Sequence, residues 1–119
     1  MEQTCDRRIC QVLDLIESRL AEPLQVATLA ALVSLSVSRF THLFTAAIGM
    51  PPLRHLRTRR MERARQLLES EGGSIRMVRS SVGYTDPSRF AKDFRKQFGV
   101  GPREYRRDYR RRRPDGAKR

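Results

Sequence analysis

Small polar and basic side chains recur at helical spacing in two segments of this 119-residue sequence. The first segment has Ser38, Thr41, His42 and Thr45, and the second has Ser88, Ala91, Lys92 and Arg95. At about 100° per residue, each set falls on one side of a helix whose other side carries phenylalanines. Hydroxyl, imidazole and amine groups can bond to base edges, and small side chains let a helix approach them. Each segment therefore has the chemistry needed to enter a DNA major groove.

Either segment alone is equally consistent with an ordinary amphipathic helix whose polar side faces water. The charge of the chain favours the interpretation as a DNA-contacting helix, because 25 Lys and Arg against 13 Asp and Glu give a formal net charge of +12. Such a field attracts polyanions, either nucleic acid or an anionic membrane surface. No segment has the apolar length of a transmembrane helix, and the polar start predicts no signal peptide. We therefore expect a cytoplasmic protein with no membrane partner.

The two segments belong to an internal repeat with a period of fifty residues. Residues 36–40 match residues 86–90, and the same offset pairs Phe44 with Phe94, Gly49 with Gly99, and Pro52 with Pro102. The apolar positions of the helix before each segment are only 49 residues apart. The second turn is therefore predicted to contain one extra residue. Each copy is a helix, a tight turn and a second helix, the helix-turn-helix pattern.

The hydrophobic periodicity predicts seven helices and no strand, so the expected fold is all-α. Ser36, Ser74 and Asp86 are predicted N-caps. Val37, Leu43, Ala47 and, in the fourth helix, Leu53 are predicted to face inward. The expected domain spans residues 1–107, with helix-turn-helix units at about 24–49 and 74–99. A linker helix at about 52–70 joins them and should be about 28 Å long. Residues 108–119 are predicted to form a basic, disordered tail.

The run Gly83–Phe90, followed by Phe94–Arg106, closely resembles the C-terminal sequence signature of the AraC/XylS family of transcription regulators. Upstream matches include Leu29-Ala30 and Arg60-Met61, and the resemblance extends from about Ile9 to Arg107. It implies seven helices, with two helix-turn-helix units joined by a long helix. The chain resembles the short, single-domain MarA/SoxS/Rob-like members, whose activity is set largely by abundance. It is equally consistent with the excised half of a longer regulator.

The resemblance also implies base contacts from the third and sixth helices. Carried over by position, the expected base-contacting residues are Ser38, Thr41, His42, Pro87, Ser88, Ala91 and Lys92. Residues at the edges and ends of these helices are the expected phosphate contacts: Ser36, Arg39, Thr45, Arg89, Arg95 and Lys96. For His42, an exposed position without a base contact is an equally good interpretation.

Two positions depart from the family pattern. Arg79 stands where the family usually has alanine, in the helix packed behind the second base-contacting helix. Its cation must extend to water or loosen the packing, which would weaken or tilt the second unit. His55 stands where the family favours an aromatic residue, matching Tyr105 in the other copy of the repeat. We expect His55 to be a packed substitute and not a ligand or a pH switch.

Nothing in the sequence indicates an enzyme, a cofactor or a metal site. The chain has no Ser/His/Asp set, no phosphate-binding glycine loop and only two histidines. The spacing of Cys5 and Cys10 fits neither a zinc ribbon nor a redox CxxC motif, and it predicts two free thiols.

The predicted function is sequence-specific binding to double-stranded DNA by a transcription regulator, and more specifically an activator. It would bind an asymmetric site as a monomer, with RNA polymerase as a further partner. A sequence-independent DNA-packaging protein is the alternative, which explains the charge but not two matched polar faces. RNA binding fits less well, because exposed aromatic side chains for base stacking are lacking.

Overall fold

The computed structural model describes residues 6–70 and 72–112, and these form seven α-helices. The helices are α1 (Arg7–Ser18), α2 (Val26–Leu32), α3 (Val37–Ile48), α4 (Pro52–Glu69), α5 (Ile75–Ser81), α6 (Pro87–Phe98) and α7 (Pro102–Arg112). The described residues contain no strand, and the predicted all-α fold is confirmed. The chain divides into two compact units, called here the N-terminal unit (Met1–Arg59) and the C-terminal unit (Arg60–Arg119).

The N-terminal unit is built on one apolar cluster from α1, α2, α3 and the start of α4. Its buried residues are Ile9, Val12, Ile16, Leu20, Leu29, Ala30, Val33, Phe40, Phe44 and Leu56. Asp6 caps α1 by accepting a hydrogen bond from the Arg8 amide at 2.8 Å. Arg59 reaches back to α1, where its Nη2 lies 3.1 Å from Oε1 of Glu17. The apolar cluster supports α3 through Phe40 and Phe44.

The C-terminal unit has its own apolar cluster, with buried residues Met61, Ala64, Leu68, Val78, Val82, Phe90 and Phe94. Its connection between α4 and α5 is held by Arg106 of α7, which is only 9% exposed. The Arg106 guanidinium donates to four carbonyls, those of Leu67, Leu68, Gly72 and Gly73, at 2.6–3.4 Å. Burial lowers the pKa of Arg106. The buried Arg106 side chain thus supplies hydrogen-bond donors to carbonyls at the end of α4 and in the loop that follows it.

The two copies of the repeat have the offsets that the sequence predicts. Helices α2 and α5 start 49 residues apart, whereas α3 and α6 start 50 apart. In both turns one residue has a left-handed backbone, Ser34 at φ 58° and Gly83 at φ 83°. The amide of the following residue donates a hydrogen bond to a carbonyl of the preceding helix. Leu35 donates to the carbonyl of Ala30 at 3.0 Å, and Tyr84 donates to that of Arg79 at 3.1 Å. The extra residue of the second turn is therefore Thr85.

The left-handed backbone of Ser34 predicts a stabilising substitution. A residue with a Cβ atom is strained at positive φ, whereas glycine is not, and Ser34 is exposed. We expect Ser34→Gly to raise the free energy of unfolding by about 0.5–1 kcal/mol, measured by urea denaturation. The reciprocal change Gly83→Ser, at the equivalent position of the second turn, should lower it by about as much. If either substitution leaves the free energy of unfolding unchanged, or changes it in the opposite direction, this account of the two turns is wrong.

Several predicted inward positions are corrected. Val37 is 47% exposed and Leu53 is 48% exposed. Each lies in the first turn of its helix. Ala47, at the other end of α3, is also exposed, while Leu43 is half-buried.

The predicted tail is also corrected, because α7 continues through Arg112. The Tyr109 ring stacks on Tyr105, with centroids 6.3 Å apart, so residues 108–112 are part of a helix. Residues 113–119 lie outside the described part of the chain. The prediction of free thiols is wrong for Cys10, which is disulfide-bonded, and Cys5 lies outside the described residues.

Within the described ranges, no single helix is long and apolar enough to cross a membrane. Helices α2 and α3 reach the length and mean hydropathy of a membrane span only when they are taken together, and the chain bends by 87° between them.

Candidate nucleic-acid interface

Helix α3 separates an apolar face from a polar one. Ser36 caps its start by accepting a hydrogen bond from the Arg39 amide at 3.1 Å. Phe40 and Phe44 are fully buried in the core of the N-terminal unit. The predicted base-contacting residues have the opposite exposure, since Ser38 and His42 are exposed and Thr41 is half-buried. We call Ser38, Thr41 and His42 the α3 contact face.

Helix α6 repeats this arrangement. Asp86 caps it by accepting from the Ser88 amide at 3.0 Å, and Pro87 takes the first helical position. Phe90 and Phe94 are buried below it. Among the predicted base-contacting residues, Pro87, Ser88 and Lys92 are exposed and Ala91 is half-buried. We call Pro87, Ser88, Ala91 and Lys92 the α6 contact face.

The preceding turn orients each contact helix within its own unit. The bend of 87° between α2 and α3 lies close to the roughly 90–120° typical of helix-turn-helix units. At the C-terminal ends, Gly49 and Gly99 have φ of 94° and 87°, and they accommodate the left-handed caps that end α3 and α6. Each contact helix is therefore a segment of twelve residues with a cap at either end.

The predicted phosphate contacts differ in how freely they could bind an anion. Arg39, Arg95 and Lys96 are exposed, whereas Thr45 is half-buried. The Ser36 oxygen accepts from the Arg39 amide, but a hydroxyl also carries a proton that it can donate. Arg89 is exposed, yet its Nε lies 3.8 Å from Oδ2 of Asp93. This weak ion pair makes Arg89 the least free of the predicted cations.

Sequence reasoning missed Asp93, which is 13% exposed in its side chain and lies on α6. The Tyr84 hydroxyl donates to Oδ2 of Asp93 at 2.6 Å and ties the second turn to the helix. The equivalent positions in the first copy are Leu35 and Leu43. A comparison of the two copies could have found this pair, since an apolar pair in one copy is replaced by a hydrogen-bonding pair in the other.

Arg79 is accommodated by extending its guanidinium out of the packing. Nη1 of Arg79 donates to the carbonyls of Tyr84 at 3.2 Å and Thr85 at 2.8 Å. Its side chain also lines a groove of about 370 Å³ beside α6. That groove includes Arg103, an exposed cation near the start of α7 that sequence reasoning also missed.

His55 is a packed residue, as predicted. Its ring contacts Phe44 edge-on with centroids 5.5 Å apart, and Tyr105 contacts Phe94 in the same way at 5.8 Å. Burial, together with a hydrogen bond from its hydroxyl to Glu69, raises the pKa of Tyr105. Among residues 6–70 and 72–112, no cluster of three or more His, Cys, Asp or Glu side chains could hold a metal ion.

Sequence comparisons with known proteins all lead to one family. Residues 29–108 match the family described as a helix-turn-helix domain. The chain is 33% identical over 99 residues to the HTH-type transcriptional regulator GbdR of Pseudomonas aeruginosa, covering 83% of this chain and 27% of that protein. It is 32% identical over 102 residues to the arabinose operon regulatory protein of Escherichia coli K12, covering 85% and 35%. The HTH-type transcriptional activator RhaS of Escherichia fergusonii is 29% identical over 105 residues, covering 88% and 38%. The chain thus spans about a quarter to two fifths of the length of these relatives.

Solved structures give the same result. The DNA-binding domain of AdpA, determined in complex with a target DNA, has a TM-score of 0.88 and 34% identity, covering 93% of this chain and all of that one. An AraC-type regulator from Chromobacterium violaceum has a TM-score of 0.78 and 28% identity, covering 86% and 91%.

Proposed function

Because the chain belongs to the AraC/XylS family of transcription regulators, as an AraC-type DNA-binding domain, we propose that it recognises specific DNA sequences through the α3 and α6 contact faces. One observation carries the proposal: both helices bury two phenylalanines and expose small polar or basic residues at equivalent positions. A protein that binds DNA only through charge needs no such duplicated face. The exposed arginines and lysines beside these faces supply phosphate contacts.

Each helix is proposed to enter its own major groove, in successive grooves about 34 Å apart along the DNA. The residues of the two contact faces differ, so the two half-sites should differ as well. One monomer would then cover an asymmetric site. Footprinting with purified protein tests this, and a palindromic site occupied only by a dimer would contradict it.

The proposed biological role is transcription activation in the cytoplasm, with RNA polymerase as the second partner. The relative RhaS, which is named as a transcriptional activator, supports this direction of regulation. In vitro transcription from a promoter carrying the selected site, with and without the protein, tests it. Lower transcript yield in the presence of the protein would indicate a repressor.

Sequence-independent DNA packaging remains the alternative, since a net charge of +12 suits it equally. The deciding experiment selects bound sites from random duplex DNA and compares affinities for selected and random duplexes across salt concentration. A specific regulator should prefer the selected site by at least about a thousandfold. Equal affinities throughout would refute the regulator proposal and support packaging.

The basic end of α7 provides the control for this experiment. Arg110, Arg111 and Arg112 lie in its last turn, away from both contact faces in sequence. Changing all three to glutamine should flatten the salt dependence by about 0.9 in slope for each DNA phosphate that is no longer neutralised. The preference for the selected site should survive, because these residues contact no bases in the proposed mode.

A further inference from the structure

The second turn differs from the first at two linked positions. Arg79 occupies the place of Ala30, which is buried in the first copy. The second turn is also longer by Thr85, directly before the Asp86 cap of α6. A longer turn allows more backbone conformations, so α6 needs further contacts to be held in one orientation.

Arg79 supplies those contacts from the side of α5. Its Nη1 bonds to the carbonyl of the extra residue, Thr85, at 2.8 Å, and to that of Tyr84 at 3.2 Å. Hydrogen bonds from a charged donor are stronger than those between neutral groups. The side chain that replaces the alanine thus binds the residue that lengthens the turn.

Tyr84 supplies a contact from the side of α6, through its hydroxyl bond to Asp93 at 2.6 Å. The turn is therefore tied both to the helix before it and to the helix after it. Arg79 also lines the groove beside α6 together with Pro87 and Ala91, two residues of the α6 contact face. Movement of Arg79 would directly alter the surroundings of that face.

We propose that Arg79 is a positioning residue that fixes the longer second turn and so sets the base selectivity of α6. Arg79 itself contacts no base in this mechanism. The inference rests on the proposed function, because selectivity can be measured only if the protein prefers particular sites. It reverses the expectation that a cation at this position weakens the second unit.

The test measures the affinities of the unchanged protein and four variants for the selected duplex and for duplexes with single base-pair changes. The α6 half-site is defined as the base pairs whose preference changes in a Ser88→Ala/Lys92→Ala variant. Arg79→Met keeps the apolar stem but removes the donors, and it should reduce discrimination at that half-site about tenfold, the value of one good base contact. Arg79→Lys, which retains a donor, should lie between Arg79→Met and the unchanged protein.

Arg76→Met is the matched control, since Arg76 is an exposed arginine one turn earlier on α5. It should leave discrimination unchanged at both half-sites. Thermal unfolding monitors the fold, and if Arg79→Met does not fold, Arg79→Lys takes its place, with a smaller loss expected at the same half-site.

The inference is overturned if Arg79→Met discriminates at the α6 half-site as well as the unchanged protein does. Equal losses at both half-sites, or the same loss in Arg76→Met, would also overturn it. If the unchanged protein shows no preference between selected and random duplex, the proposed function itself fails.

Discussion

Replacing Arg106 by methionine is expected to lower the free energy of unfolding by about 3 kcal/mol, the value of one or two hydrogen bonds from a charged group, because two of its four bonds are long and its burial has a cost. The substitution keeps much of the buried stem but removes all donors to the carbonyls of α4 and the α4–α5 loop. With the guanidinium gone, these partly buried carbonyls lose the partners that offset their desolvation. Chemical denaturation followed by circular dichroism measures the loss, which is large for a domain of this size.

Arg107→Met is the matched control, because Arg107 is the next residue on α7 and is exposed. Its Nε lies 3.6 Å from Oδ1 of Asp108, an exposed pair of little energetic value. Both variants lose one positive charge from one helix. The control should change stability by no more than about 0.5 kcal/mol. If the two variants are equally stable, the carbonyl contacts of Arg106 do not stabilise the fold.

Replacing Ser38, Thr41 and His42 together by alanine is expected to reduce base discrimination in the α3 half-site roughly a hundredfold, since each base contact is worth about 1–3 kcal/mol. Alanine favours the helix, and the changed side chains lie opposite the buried phenylalanines, so the fold should persist. Site selection from random duplex DNA measures the result as a larger set of accepted bases. Discrimination at the α6 half-site should remain.

Arg39→Ala is the comparison for the α3 face. Arg39 lies on the same helix but is a predicted phosphate contact, so its loss should weaken binding to all duplexes evenly. The slope of affinity against salt should also fall by about 0.9. A single His42→Ala variant decides between a base contact and an exposed position without one. Should the triple variant select the unchanged site, the α3 contact face is assigned wrongly.

Much of the fold was predictable because its determinants are local in sequence. The caps Ser36, Ser74 and Asp86 each accept a backbone hydrogen bond where predicted. The fifty-residue repeat correctly located both turns and the extra residue. Periodicity failed for Val37 and Leu53, because it describes the faces of a helix but not which parts of a face a neighbouring element covers. The predicted tail failed for residues 108–112 for a different reason, because the basic composition of the arginine run suggested disorder, while Tyr109 stacks on Tyr105 in α7.

The sequence by itself determined the helices, the repeat, the polar faces of α3 and α6, and the strong positive charge. Tertiary structure decided which polar groups form hydrogen bonds with one another, because these groups are separated in sequence by distances unrelated to the helical repeat. Arg106 meets carbonyls more than thirty residues away, and Tyr84 meets Asp93 across a turn. Arg79 illustrates the difference best, since its sequence position predicts only a cation that extends to water or loosens the packing. Only the three-dimensional path of the longer turn places two carbonyls within reach of its guanidinium.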